Sequence, residues 1–193
     1  MKRSERGLVL FVIGAIAIIL GSCHFKKDYT AEIKELDSLS TVVDEYHERL
    51  SAQGNWTGSV DTIRDLLHTI QALQPEGLSL EQVALLNDMG RIRLEMESIE
   101  EVKTQLALKL DSSSSQLKKL QQALKEGATH DSDDNKMDEL YVMKALQKER
   151  DVVQQLSSRF VELDEANSEL LRKHAQLTPQ LQLLVDSIAE KHY

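Results

Sequence analysis

The chain reads as all-α: an elongated antiparallel helical hairpin, or coiled coil, with two shorter helices packed against it. Three observations predict this. Apolar residues step by three and four along nearly all of residues 30–192. Aromatics are only 4% of the chain, and 8 glycines and 2 prolines supply too little turn chemistry for a sheet protein. Leu, Glu, Lys, Gln and Ala dominate instead, the composition of long helices.

The pattern divides into four helices at about 30–53, 60–73, 80–126 and 135–190. In the first, Leu36, Leu39, Val43, Tyr46 and Leu50 form an a/d seam, with Thr30 as the expected N-cap. Gly54-Asn55-Trp56-Thr57-Gly58-Ser59 breaks it, and Ser59 is placed to cap the second helix. That helix carries Ile63, Leu66, Ile70 and Leu73 and stops before Pro75 and Gly77. Ser79 and Gln82 have capping-box spacing and open the third helix. Its seam runs Leu85, Met89, Ile92, Met96, Ile99, Lys103, Leu106, Leu110, Ser113, Leu117, Leu120 and Leu124. Gly127 should end it. Asp134 or Asn135 is the expected cap of the last helix. Its seam is Val142, Leu146, Glu149, Val153, Leu156, Phe160, Leu163, Asn167, Leu170, His174, Leu177, Leu181, Leu184 and Ile188. Thr178-Pro179 should kink or restart this helix, because Pro179 has no N–H to donate.

The loop near residue 131 is too short to hold the two long helices apart, so they should fold back as a hairpin roughly 65–80 Å long. Ser113 and Glu149 lie 18 residues either side of residue 131. A hairpin centred there would bring these two polar seam residues to nearly one level. The two shorter helices are sized to cover one half of it, the half nearest the chain's first 23 residues. Asn167 is the sharpest oddity, since a buried a-position Asn fixes coiled-coil register. His174 follows it by one heptad, where burial would suit a pH-sensitive group.

The first 23 residues have a different logic. Lys2, Arg3 and Arg6 form a basic head, Leu8 to Leu20 is an unbroken apolar run, and Leu20-Gly21-Ser22-Cys23 closes it at the chain's single cysteine. A run of 13 residues spans roughly 20 Å as a helix, short of the ~30 Å bilayer core but ordinary for a secretory signal. This segment resembles the signal of bacterial lipoproteins, whose lipobox is Leu, two small residues and Cys. The resemblance covers only this segment and no specific family beyond it. It implies a signal peptide at 1–22, a lipidated N-terminus and tether at 23–29, and a single helical domain at 30–192. It further implies that Cys23 carries diacylglyceryl and N-acyl chains, enough for stable attachment. His24 replaces the aspartate that marks inner-membrane retention in enterobacterial-type lipoproteins, so the outer membrane, facing the periplasm, is the expected address. The alternative is a single-pass membrane protein whose heptads form an intermolecular coiled coil in an assembly.

Removing residues 1–22 would leave 20 basic and 31 acidic residues, shifting the charge from −9 to −11. No basic run stands out, so nucleic acid is not an expected partner. The sequence holds no glycine-rich phosphate loop, no His-Glu-x-x-His motif and no setting for a nucleophilic serine. Asp131, Asp133 and Asn135 occupy the first three ligand positions of an EF-hand loop. Lys136 then stands where glycine is required and Val142 where the bidentate glutamate is required, so a solvated turn is the better reading. The expectation is a non-enzymatic protein without cofactor or metal. Its expected partners are the membrane through Cys23, an envelope protein of unknown identity, and a second copy of itself where the seams allow.

Overall fold

The computed structural model describes residues 28–73, 75–131 and 134–192. Leu20, Gly21, Ser22 and Cys23 lie outside the described residues. Among the described residues there are four helices: α1 (Thr30–Ala52), α2 (Thr57–Leu73), α3 (Leu80–Glu126) and α4 (Glu139–His192). None is long and apolar enough to cross a membrane.

Helix ends follow side-chain chemistry, not always at the expected residue. Asp28, not Thr30, serves the start of α1, accepting from the Thr30 N–H at 2.9 Å and from the Thr30 hydroxyl. α2 begins two residues before Ser59, with Asn55 Oδ1 accepting from the Thr57 N–H at 3.3 Å. The capping box of α3 forms as expected: the Gln82 N–H donates to Ser79 Oγ at 3.2 Å, and the Ser79 N–H to Gln82 Oε1 at 2.9 Å. Gly127 ends α3 in the left-handed conformation at φ 68°. α4 starts later than expected because Asp134 and Asn135 are used in the turn. Asp134 is itself left-handed at φ 62°, and the Asn135 N–H donates to Asp131 Oδ1 at 2.8 Å. Asp138 takes over, accepting from the Tyr141 N–H at 2.9 Å.

Thr178-Pro179 does not restart α4, which is continuous through it. The proline removes one backbone donor. Leu170 and Leu181 are buried on either side of it in the same apolar cluster, so tertiary packing holds the helix together across the defect. Gln180 contributes as well, its side-chain amide donating to the Gln176 carbonyl at 3.0 Å.

α3 and α4 form the predicted hairpin, and α1 and α2 lie along it in series. Gln121 donates to Asp37, Ser114 Oγ to Asp44 Oδ1 at 3.4 Å, and His47 Nε2 meets Asp111 at 3.1 Å. Further along, Arg64 reaches Glu97 at 3.3 Å. α1 therefore starts beside the hairpin turn, and α2 continues toward the open end. The two do not share one half of the hairpin: α1 covers the turn half and α2 the other. The result is a three-stranded up-down-up bundle whose first strand is broken at residues 53–56. All twelve predicted seam positions of α3 and all fourteen of α4 are buried or half-buried.

The core falls into two clusters. One, toward the turn, holds Leu36, Val43, Leu110, Leu117, Val142, Leu156 and Phe160. The other, toward the open end, holds Trp56, Ile63, Ile70, Met89, Met96, Leu170 and Leu181. Ile99 packs against both.

Candidate functional site

Between the two clusters, the break in the first strand exposes backbone groups that a continuous helix would have paired. Polar seam residues meet them. Lys103, 8% exposed, donates to the Gly54 carbonyl at 2.6 Å and to Glu100 Oε1 at 3.0 Å. Glu100 Oε1 also accepts from the Trp56 N–H at 3.2 Å. The Trp56 ring, 5% exposed, turns into the core and its Nε1–H donates to Asn167 Oδ1 at 2.8 Å. Asp164 completes the joint, accepting from Gln53 Nε2 at 2.8 Å and from Arg49 at 3.3 Å. Asn167 thus pairs with an indole of its own chain. In the sequence, the neighbours Gly54, Asn55 and Gly58 mark Trp56 only as a loop residue. A lone Trp in a break, opposite a lone Asn in a seam, was the available signal.

His174 stands edge-on to Trp56, ring centroids 5.8 Å apart. Burial lowers its pKa below the ordinary 6.5. Stability from this group is therefore full above pH 6.5 and is lost as the pH falls through the lowered value.

Ser113 and Glu149 do not form the expected polar layer. Ser113 lines a hollow with Val152, Leu156 and Arg159, whereas Glu149 lies nearer Gln116, Lys119 and Leu120. The hairpin turns a little beyond residue 131, which sets the two residues at different levels. Each is buried, and Ser113 Oγ and Glu149 Oε2 have no hydrogen-bond partner. Burial pushes the Glu149 carboxyl above its ordinary 4.5, partly offset by Lys148. The sign is opposite to that of His174: the native state holds the proton more tightly, so stability is full below pH 4.5 and is lost as the pH rises through the raised value. Glu149→Leu is expected to raise stability by about 1–3 kcal/mol at pH 7, because an orphaned buried carboxylate is removed. Urea denaturation at pH 7 and at pH 4.5 checks this. The gain should shrink at the lower pH, and a pH-independent gain would refute the assignment.

The second feature is a groove along the hairpin flank that α1 leaves open. α1 meets α4 through Glu139, Met143, Leu146 and Arg150. The open flank instead presents Tyr141, Lys144, Ala145, Lys148, Val152 and Arg159 of α4, facing Lys109, Gln116, Lys119, Leu120 and Ala123 of α3. Its floor is mostly apolar, with the unpartnered Ser113 and Glu149 oxygens set in it. Its edges carry five exposed cations, Lys109, Lys119, Lys144, Lys148 and Arg159, none of them in a salt bridge among the described residues. Elsewhere Arg49, Arg64, Arg91, Arg93, Lys103, Arg150, Arg172 and Lys173 are paired with carboxylates, while Lys34, Lys118, Lys125 and Lys136 are also exposed without a salt bridge among the described residues. Three acids share the groove. Asp131 accepts from Asn135 and from the Tyr141 hydroxyl at 2.5 Å, Glu126 accepts from Gln122 at 2.8 Å, and Glu149 is buried. The absence of a basic run in the sequence concealed this patch, because its members come from two helices and meet only when the hairpin closes.

No family model, curated protein or solved structure matches the chain.

Proposed function

We propose that this chain is a lipid-anchored protein of the bacterial cell envelope, held in the outer membrane through Cys23, whose helical body acts as a non-enzymatic scaffold for another envelope protein. The observation that carries this reading is the basic head, the 13-residue apolar run and Leu20-Gly21-Ser22-Cys23. The body supports it in two ways. Its heptad leucines Leu156, Leu163, Leu170 and Leu184 are buried against the chain's own helices, so the alternative of heptads pairing between chains lacks a free seam. The tether is also short. Six residues from Cys23 to Tyr29 reach about 20 Å at most, and α1 begins beside the hairpin turn. An anchor on Cys23 therefore puts the turn next to the membrane and the open end away from it.

The test is the intact mass of the membrane-extracted protein beside Cys23→Ser. Loss of residues 1–22 with added acyl mass, abolished by the substitution, is the expected result. An uncleaved, unmodified N-terminus overturns the reading and restores the single-pass alternative.

A further inference from the structure

We propose that the open groove between α3 and α4 is a docking site for an acidic amphipathic helix of a partner protein. The inference deepens the scaffold reading and rests on it only in supplying the partner's kind. Charge complementarity carries it. In a chain of net charge −9, nine exposed cations have no salt bridge among the described residues, and five of them edge this groove, where they outnumber the carboxylates of Glu126, Asp131 and Glu149. An occupant must bury an apolar stripe on Leu120, Ala123 and Ala145 while setting carboxylates against Lys119, Lys144 and Lys148. A helix with Leu at a and d positions and Glu beside them has that pattern.

Other occupants fit less well. A bilayer beside the hairpin turn offers its headgroups to Lys144, but the cations continue along the bundle axis to Lys109 and Arg159. From Glu126 to Lys109 that is roughly 25 Å of helix. A second copy of the body has its seams buried and would have to offer single exposed side chains such as Leu94, Leu108 or Leu183 instead. Residues 1–22 bring Lys2, Arg3 and Arg6, which the groove would repel.

The experiment uses the full-length protein in detergent and two synthetic 21-residue helical peptides of identical apolar stripe, one flanked by Glu and the other by Lys. Fluorescence anisotropy should show the Glu peptide binding and weakening at least tenfold as salt rises from about 0.05 to 0.5 M. The variant Lys119→Glu/Lys144→Glu/Lys148→Glu should reverse the preference between the peptides. These side chains are exposed, so the fold should survive, with a thermal melt lowered only by the loss of the Lys148 charge beside Glu149. Ala123→Gln, which fills the floor without changing charge, should weaken the Glu peptide at least fivefold. Equal binding of both peptides, no binding, or indifference to these variants overturns the proposal. So does lysine-dependent flotation of the Cys23→Ser protein with phosphatidylglycerol vesicles when the Glu peptide fails, which would assign the patch to the membrane surface. None of these outcomes alters the acyl mass on Cys23, so this inference and the lipoprotein reading fail separately.

Discussion

Trp56→Ala should destabilise the protein by about 3–5 kcal/mol, the range for emptying a buried aromatic site. Two losses combine. The ring fills the joint between the core clusters, 5% exposed, and its Nε1–H is the donor for buried Asn167 Oδ1 at 2.8 Å. Trp56→Phe separates them: it keeps most of the apolar contact but orphans the Asn167 carbonyl, an expected cost of about 1–3 kcal/mol. Asn167→Leu orphans the indole instead. The double change Trp56→Phe/Asn167→Leu should cost less than the sum of the singles, since neither partner is then left unpaired. Chemical denaturation followed by far-ultraviolet circular dichroism measures all four proteins. Additive costs would mean that the bond contributes nothing to holding the broken strand in register.

Most of the fold was legible because a seam is a local property that helix packing merely folds shut. Leu85 through Leu124 and Val142 through Ile188 could be listed as core from their spacing, and each is buried or half-buried. What escaped were features set by contacts between distant segments. The local chemistry of Pro179 predicts a kink or a restart, and packing on both sides keeps the helix continuous. Trp56 was read by its glycine neighbours, although Asn167 and His174, more than a hundred residues away, give it its place. Lys103 is a polar member of the α3 seam whose partner, the Gly54 carbonyl, only the fold brings opposite it. The cationic groove has no local signature at all, because α3 and α4 each contribute one edge. The lipobox residues Leu20, Gly21, Ser22 and Cys23 are legible only as sequence.

Phe160→Ala should cost a further, separate 3–5 kcal/mol or about that much, and it tests whether the two clusters stand or fall together. Phe160 is 1% exposed in the cluster toward the turn, stacked on Tyr46 with centroids 4.7 Å apart and capped by Arg49 at 4.6 Å. All three strands lose packing when the ring goes, because α1 supplies the stacking partners and α3 the apolar wall. Arg49 also loses its platform while its salt bridge to Asp164 remains, which ties the damage to the joint. Phe160→Leu, keeping volume without the ring, should cost about 1–1.5 kcal/mol. Since α3 and α4 run unbroken through both clusters, Phe160→Ala should lower one cooperative transition and speed hydrogen exchange at Met89 and Ile92 in the other cluster as well. Exchange accelerated only around Leu36, Val43 and Val142 would show that the polar joint divides the bundle into two independent units.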